Sequence, residues 1–462
     1  MATLEIRLLK EIFREYDIRG IVGSQLNENS VKAIGKELGA VMKSRGVKSI
    51  SVGYDARLSA NELFKYLVSG LNANDLEVFD IGLLPTPVGY YSVFSGVFDA
   101  NIMITGSHNP KEYNGFKITI GTDSFFGADI TSLGQKVCAL VDAAVQIPDD
   151  IKCEKYDILS KYVEFFKQCF AGLKGFDLPF ICDCANGAAG VSLELIIKEL
   201  NLNAKVLYPE PNGNFPNHHP DPSVQENLKD LKDALSGDKF ALGFGFDGDG
   251  DRIAVLTKKR SIKGDELAYL YALNMRNPRV LGEVKCSQNM YDEINKLGSA
   301  FMGKTGHSNI KKAMKELNID MAAEVSGHIF FKERFFGFDD AVYAAMRVLE
   351  LCAKGVDLDK ELDKLPKLYS TDEIKVHTSD KNKFAIISEI KQALNTADLP
   401  RILDVVDIDG VRVRFTHGWA LVRASNTTPV LVTRYEADSE ANLKLIQDKF
   451  EALINKVGKK YE

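Results

Sequence analysis

The sequence has no long apolar run, no paired-cysteine motif and no excess of basic charge. No apolar stretch approaches the roughly 18 residues that a membrane-spanning helix needs, and the chain starts with Glu5 and Arg7 where a signal peptide requires an apolar core. The formal net charge of -6 provides no basic field for nucleic acid or anionic lipid. We therefore expect a cytoplasmic protein with no nucleic-acid and no membrane partner.

The cysteines form neither a disulfide framework nor a zinc site. There are seven of them, scattered along the chain, and no two are arranged as C-x-x-C. Thiols of cytoplasmic proteins normally stay reduced. All seven are expected to be free.

The length indicates several domains. A usual size of about 150 residues per domain predicts three or four of them in a chain of 462 residues. The limits that we predict are 1–150, 151–255 and 256–367 for three α/β domains, and 368–462 for an α+β domain.

Strands and amphipathic helices recur in the same order in the first three of these domains. Each copy contains a third apolar strand that ends in a polar loop, and these strands are predicted at 100–105, 240–246 and 320–323. The first copy starts with a strand at 49–53 and a helix at 61–72. Ligands of open α/β sheets bind beyond the carboxyl ends of the strands, so the three loops are expected to converge on one cleft.

The pattern changes near residue 369 to closely spaced strands with short turns. Strands are predicted near Leu403, Val411, Leu421 and Leu431. Asp409 and Gly410 are typical of a tight turn between antiparallel strands. The expected fold class is therefore α/β, with three related mixed α/β domains plus a C-terminal α+β antiparallel-sheet domain around a central cleft.

Three aspartates alternate with glycines after the second polar-ended strand. Asp247, Asp249 and Asp251 do not start a calcium-binding EF-hand, because Arg252 and Lys258 stand where that loop needs glycine and glutamate. A solvated turn is the plainer explanation, but apolar strands flank the motif on both sides. Three carboxylates leave positions open on an octahedral magnesium ion, which suits a shared phosphate oxygen. Arg252 is expected to pair with a carboxylate or to reach the substrate.

Ser107 lies on a tight loop after the first polar-ended strand. His108 and Asn109 can hold this loop by hydrogen bonds, Pro110 stiffens it, and Lys117 on the next strand is placed to reach a phosphate. A turn or helix cap would explain the serine alone. Together with a caged divalent cation, the serine indicates phosphoryl transfer.

Two further loops carry groups suited to a phosphorylated sugar. Glu324 and Ser326 pair an acceptor carboxylate with a hydroxyl, which suits adjacent sugar hydroxyls, and His328 can transfer protons. In the last domain, one loop combines a guanidinium, hydroxyls and an amide in a compact oxyanion receptor. Its residues are Arg423, Ser425, Asn426 and Thr427.

Other candidates are weaker when taken singly, because each is also explained as a surface charge or a helix cap. They are Tyr16, Arg19, Lys285 and His307. His218 and His219 lie in a proline-rich segment, 214–222, and are interpreted as part of a rigid loop rather than as metal ligands.

The motifs occur in the order found in one family. The chain resembles the α-D-phosphohexomutases, and within them the bacterial phosphomannomutase/phosphoglucomutase group, over nearly its whole length. The segments that carry the resemblance are 16–20, 105–110, 247–252, 324–328 and 423–429.

The resemblance implies a role for each of these residues. Ser107 would carry a phosphoryl group, and its phosphoserine oxygen would share a magnesium ion with Asp247, Asp249 and Asp251. Glu324 and Ser326 would contact the sugar 3- and 4-hydroxyls. The residues expected to clamp the non-reacting phosphate are Arg423, Ser425, Asn426 and Thr427. The residues expected to line the cleft with Tyr16 are Arg19, Lys117, Lys285, His307 and His328.

The implied activity is the interconversion of hexose 1-phosphate and hexose 6-phosphate, of mannose, glucose or both. It would proceed through the phosphoserine and a hexose 1,6-bisphosphate, with Mg2+ and a hexose 1,6-bisphosphate primer. Lys117 and Arg252 would offset negative charge, and the general base is Lys117 or His328. The expected partner is a small-molecule phosphosugar, and the expected assembly is a monomer or a weak dimer.

Three alternatives stay open at this point. One is a phosphatase with an aspartyl-phosphate intermediate, in which Asp247 is the nucleophile and Asp249 the acid. Another is a phosphosugar-binding or scaffold protein, which would need neither Ser107 nor the aspartates. The third, within the same family, is a phosphoglucosamine mutase.

Overall fold

The computed structural model describes residues 2–426 and 428–461, and its strands form four β-sheets that follow one another along the chain. The first sheet has seven strands. The elements of this part are α1 (Ala2–Lys10), β1 (Ile18–Ile21), α2 (Glu28–Ser44), β2 (Ser49–Tyr54), α3 (Ala60–Asn72), β3 (Glu77–Leu83), α4 (Thr86–Phe94), β4 (Ala100–Ile104), β5 (Tyr113–Ile120), β6 (Asp123–Ser124), α5 (Ala128–Asp142) and β7 (Glu154–Lys155). β2 lies between β3 and β4 and runs parallel to both, and β5 returns antiparallel to β4.

The second sheet has five strands. Its part of the chain contains α6 (Leu159–Cys169), β8 (Phe180–Asp183), α7 (Ala189–Leu200), β9 (Ala204–Leu207), α8 (Lys229–Leu235), β10 (Leu242–Phe246), β11 (Ile253–Leu256) and β12 (Ser261–Ile262). β8 runs parallel to β9 and β10, and β11 returns antiparallel to β10.

The third sheet has four strands. The elements around it are α9 (Gly264–Ala272), β13 (Arg279–Glu283), α10 (Gln288–Leu297), β14 (Ser299–Gly303), α11 (His307–Glu316), β15 (Met321–Ala323), β16 (Ile329–Phe331), α12 (Ala341–Ala353) and α13 (Leu358–Leu362). β13 runs parallel to β14 and β15, and β16 returns antiparallel to β15.

The first three sheets therefore share one topology. In each, the first strand of the repeat is central, the second and third strands flank it in parallel, and a fourth strand pairs antiparallel with the third. The predicted strands and helix correspond to β2, α3, β4, β10 and β15, with ends that differ by one or two residues. Two short strands lie across the predicted domain limits, because β7 pairs with the first sheet and β12 with the second.

The fourth sheet is antiparallel and has six strands. Its elements are β17 (Tyr369–Ser370), β18 (Ile374–His377), α14 (Lys383–Ala393), β19 (Ile402–Val406), β20 (Val411–Phe415), β21 (Gly418–Ala424), β22 (Val430–Ala437) and α15 (Glu440–Gly458). β19, β20, β21 and β22 are antiparallel neighbours, so the expected antiparallel α+β unit is confirmed.

One continuous cluster of buried apolar side chains joins the first three sheets. It includes Val88 of α4, Phe166 of α6, Phe244 of β10, Val280 of β13 and Tyr343 of α12. Close packing of this kind holds the sheets in a fixed relation, so that loops from different sheets can form one site. All seven cysteines are free. None of the helices in the described part of the chain is long and apolar enough to cross a membrane.

Candidate active site

The serine loop and the aspartate loop lie in direct contact. Ser107 follows β4, and Asp247 follows β10. Ser107 Oγ donates a hydrogen bond to Asp247 Oδ2 over 3.1 Å and lies 3.0 Å from His108 Nδ1. The two side chains are 140 positions apart in sequence, and burial leaves 2% of the serine exposed. The backbone of Ser107 is left-handed, with φ of 49°, which is unfavourable for a residue other than glycine.

Three fully buried carboxylates lie close together beside Ser107. Asp247, Asp249 and Asp251 each offer a carboxylate oxygen, and these oxygens lie within 4.8 Å of one another. The backbone amides of Asp251 and Arg252 donate to Asp247 Oδ1. Burial and the charges of Asp251 and Asp249 raise the pKa of Asp247 well above its ordinary value.

The donor set fits a hard divalent cation. Asp249 Oδ1 and Asp251 Oδ1 are buried and have no hydrogen-bond partner among the described residues. A buried carboxylate oxygen without a partner is costly, and a cation bound between the two would satisfy both. Oxygen donors alone favour magnesium, manganese or calcium over zinc or copper.

Lys117 on β5 is the cation that the chain itself supplies. Its Nζ donates to Asp249 Oδ2 over 2.8 Å and also contacts Asp251 Oδ2. Burial disfavours the charge of Lys117, but Asp249 and Asp251 raise its pKa well above the ordinary value. In return, the ammonium outweighs the burial of Asp249 and lowers the pKa of that carboxyl. Lys117 therefore stays protonated, which suits charge neutralisation better than proton abstraction.

A second chain of polar contacts runs from the aspartate loop into the third sheet. Arg252 Nε donates to His328 Nε2 over 2.8 Å, so the proton of the neutral imidazole is on Nδ1. That Nδ1 lies 2.9 Å from Asp339 Oδ2, and Lys311 Nζ donates to Asp339 Oδ1 over 3.2 Å. Asp339 is fully buried, and Lys311 and His328 hold its pKa well below the ordinary value against the effect of burial. His328 is thereby fixed between Arg252 and Asp339.

The loop between β15 and β16 contributes Glu324 and Ser326. The backbone amide of Gly306 donates to Glu324 Oε1 over 2.7 Å, which orients a carboxylate that is 3% exposed. Ser326 is partly exposed and lines a cavity of about 490 Å3. Glu373, from the segment that enters the fourth sheet, lines the same cavity.

The loop of the last domain that contains Arg423 and Asn426 contacts the first part of the chain directly and the third part through Tyr16. Asn426 Nδ2 donates to Tyr16 Oη over 2.5 Å, and Tyr16 Oη donates to the carbonyl of Thr305 over 3.0 Å. Arg423 Nε donates to Asp409 Oδ2 over 2.9 Å. Burial raises the pKa of Tyr16 to about 12, so its hydroxyl stays protonated.

Ser425 of the same loop makes contacts within the last domain. Ser425 Oγ lies 2.9 Å from Thr428 Oγ1 and receives the backbone amide of Thr428. The backbone carbonyl of Ser425 accepts from Lys383 Nζ over 2.7 Å. Thr427 lies outside the described residues.

The remaining candidates are Arg19, His307 and Lys285. Arg19 donates to Asp17 Oδ2, and within residues 2–426 and 428–461 its buried Nη1 has no partner. The ring of His307 is stacked on that of His328 with 6.0 Å between their centroids, and burial followed by the charge of Lys311 lowers its pKa well below the ordinary value. Lys285 Nζ lies 2.6 Å from Glu373 Oε1.

Several polar residues of the site were missed by sequence reasoning. They are Asp55, Arg57, Lys311, Asp339 and Asp409. Asp55 and Arg57 follow β2 directly, and the rule that polar residues beyond parallel strands form sites should have found them. His218 and His219 do belong to a structured loop, since His218 Nε2 lies 3.0 Å from Asp183 Oδ2 and His219 Nε2 lies 2.6 Å from the carbonyl of His108.

Comparison with known proteins finds one family along most of the chain. Successive parts of the chain match four domains of one family, described as Phosphoglucomutase/phosphomannomutase, alpha/beta/alpha domain I (10–135), domain II (160–261), domain III (263–369) and C-terminal domain (373–453). A phosphomannomutase/phosphoglucomutase of Pseudomonas putida is 42% identical over 454 residues, which cover 96% of each chain. A phosphoglucomutase of Neisseria gonorrhoeae is 38% identical and covers 97% of each chain.

Solved structures have the same architecture. A phosphoglucomutase/phosphomannomutase family protein from Burkholderia thailandensis superposes with a TM-score of 0.87 at 37% identity and covers 97% of this chain and 98% of its own. An N-acetylphosphoglucosamine mutase from Aspergillus fumigatus shares the fold at a TM-score of 0.61 and 14% identity, over 98% of this chain and 99% of its own. The near-complete matches show that the chain belongs to the phosphoglucomutase/phosphomannomutase family of hexose-phosphate mutases.

Proposed function

We propose that this mutase interconverts the 1- and 6-phosphates of mannose, glucose or both, through a phosphoserine at Ser107 and a hexose 1,6-bisphosphate. The observation that carries the proposal is the 3.1 Å contact between Ser107 Oγ and Asp247 Oδ2, inside a group of buried carboxylates. The bacterial relatives named for both sugars support the choice of substrates. The two alternatives outside the mutases, an aspartyl-phosphate phosphatase and a binding protein, leave Ser107 without a purpose.

Asp247, Asp249 and Asp251 are the residues that would hold Mg2+, together with an oxygen of the phosphorylated Ser107. A bound magnesium ion would supply positive charge to the phosphoryl oxygens. Lys117 adds positive charge through its contacts with Asp249 and Asp251. The aspartates and Lys117 are buried, and positive charge would act more strongly there than in bulk water.

Proton transfer to and from the sugar hydroxyl falls to His328 in this mechanism. Lys117 Nζ is bound to Asp249 Oδ2 and Asp251 Oδ2, so His328 is the proposed base of the two candidates. His328 Nε2 is engaged by Arg252 Nε, so Arg252 must turn towards the substrate phosphate before the imidazole can accept a proton. Binding of the phosphate is thereby linked to release of the base.

The bisphosphate has to turn end for end between the two transfers. Glu324 and Ser326, which contact the 3- and 4-hydroxyls in this proposal, lie on a loop of their own and can be reached in both orientations. The clamp for the non-reacting phosphate consists of Arg423, Ser425, Asn426 and Thr427. Tyr16, Arg19, Lys285 and His307 line the cleft between this clamp and the metal loop.

Transfer of labelled phosphate tests the assignment. The enzyme is incubated with Mg2+ and with hexose 1,6-bisphosphate that carries phosphorus-32. We expect an acid-stable label on the peptide that contains Ser107, and no label in S107A. The same hexose 1,6-bisphosphate also serves as the primer for turnover of mannose 1-phosphate and glucose 1-phosphate. A label that hydroxylamine removes, retained in S107A, would instead support the aspartyl-phosphate phosphatase.

The working form in this proposal is a cytoplasmic monomer or weak dimer. The seven free thiols are compatible with a reducing compartment. Light scattering across a range of protein concentrations measures the oligomeric state, and a stable tetramer would contradict this part of the proposal.

A further inference from the structure

One buried arginine binds four carbonyl groups of the serine loop. Arg57 Nη2 donates to the carbonyls of Ser107 over 2.9 Å and Asn109 over 2.6 Å. Its Nη1 donates to the carbonyls of Pro110 and Tyr113, each over 2.7 Å. The planar guanidinium has five N–H donors in a fixed fork, more than any other side chain, and can make several such bonds at once. The path of the loop is therefore determined largely by a residue 50 positions away.

Asp55 completes the support from the same strand end. Its Oδ2 accepts the hydroxyl of Thr105 over 2.7 Å and the amide of Gly106 over 3.1 Å. Thr105 Oγ1 in turn accepts the amide of Ser107 over 2.8 Å. A Cβ at Gly106 would collide with the guanidinium of Arg57, so only glycine lets the loop approach so closely.

The proline-rich loop of the second domain, 214–222, contacts both Arg57 and the serine loop. The ring of Phe215 lies under the Arg57 guanidinium at 5.7 Å. His219 Nε2 donates to the carbonyl of His108 over 2.6 Å, because a carbonyl can only accept. These two contacts assign a structural role to segment 214–222, which takes no direct part in the proposed reaction.

We propose that Arg57 is a positioning residue for the phosphoryl-carrying serine, and that His219 completes the support of the same loop. The inference rests on the proposed role of Ser107. The side chain of Arg57 is 0% exposed and cannot touch a substrate phosphate, so it acts only through the backbone that it binds. Its contacts hold Ser107 in the left-handed conformation that directs Oγ at Asp247. Both transfers use this one oxygen, so both depend on its position.

Three variants test the inference by steady-state kinetics. Arg57→Met keeps the length of the side chain without its donors, and kcat is expected to fall about 100-fold, as for a displacement of the reacting atom by about 1 Å. KM is expected to stay within about threefold, since Arg57 does not line the cleft. Arg57→Lys restores some of the donors and should recover part of kcat. The matched control is Arg347→Met, because Arg347 is also buried but pairs with Glu333 and Glu350 away from the site.

The direct readout is the rate at which Ser107 receives phosphate from hexose 1,6-bisphosphate in a rapid-quench experiment. A folded R57M that labels Ser107 at the wild-type rate would overturn the inference, as would an equal loss of kcat in R347M. If R57M does not fold, His219→Ala is decisive, because His219 is exposed at the rim of the loop. We expect about a tenfold loss of kcat in H219A, and an unchanged kcat there would overturn the inference. Label that persists in S107A would refute the proposed function instead.

Discussion

Replacing Asp247 by asparagine is expected to stabilise the metal-free protein while it strongly lowers mutase activity. Asp247 is fully buried beside two other carboxylates, and its pKa is raised by burial and by their charges. Asparagine has the same shape, and its Oδ1 can still accept the amides of Asp251 and Arg252. The substitution thus removes a charge without removing these hydrogen bonds.

The size of the effect follows from the separation of the carboxylates. A like-charge pair whose oxygens lie within 4.8 Å costs about 3 kcal/mol at an effective dielectric constant of about 20. Arg252 and Lys117 offset part of the repulsion from Asp249 and Asp251. We expect a net gain of about 1–3 kcal/mol in the apparent free energy of unfolding of D247N.

The dependence on pH has a definite sign. A raised carboxyl pKa means that the folded protein favours the protonated form, so wild type loses stability as the pH rises from about 4, the ordinary value, to the raised pKa. D247N lacks this loss. Its advantage is therefore largest above the raised pKa and disappears towards pH 4.

Urea unfolding in EDTA at pH 8 measures this difference. The matched control is Asp339→Asn, since Asp339 is equally buried but is paired with Lys311 and His328. D339N is expected to lose about 3–5 kcal/mol, because one partner of a buried pair is removed. D247N that is no more stable than wild type, beside a destabilised D339N, would refute the view of Asp247 as an uncompensated buried charge.

Magnesium should make wild type more stable than D247N. Wild type is expected to gain about 2.7 kcal/mol at a concentration 100 times the Kd, whereas D247N has one ligand fewer and gains less. Mutase activity of D247N is expected to fall at least about 100-fold. An equal gain in stability from Mg2+ for both proteins would show that Asp247 is not a ligand.

Three further outcomes are expected. Tyr16→Phe removes two hydrogen bonds that join the first domain to the third and fourth domains. KM should therefore rise about tenfold with a smaller change in kcat, and Asn426→Ala should have the same effect. An unchanged KM in both variants would contradict a role of this contact in closing the cleft. Glu324→Gln should lower kcat/KM about 10- to 100-fold for glucose and mannose phosphates alike, since neither the 3- nor the 4-hydroxyl distinguishes the two sugars, and selective loss for mannose would contradict this. His328→Asn should lower kcat at least about 100-fold with KM little changed, whereas retained activity would return the role of base to another group.

Much of the site was predictable from local sequence. The strands β2, β4, β10 and β15 were predicted to within two residues, because apolar residues occur there in short runs bounded by turn-forming ones. The motifs follow from the same signal, since Asp247 and Glu324 come directly after their strands and Ser107 is the third residue after β4. By contrast, α4 is buried on nearly every side, has no polar face and therefore carries no helical periodicity to detect.

The sequence by itself determined the strand ends and the motifs that follow them, because both depend on a few neighbouring residues. Only the tertiary structure decided how these residues are paired. Arg57 binds a loop 50 positions away, and Tyr16 meets Asn426 across 410 positions. Lys117 was expected to reach a phosphate, to offset negative charge or to act as the base, and the structure shows it paired with Asp249 and Asp251. Contacts of this kind depend on how the sheets pack together, and local periodicity carries no record of that packing.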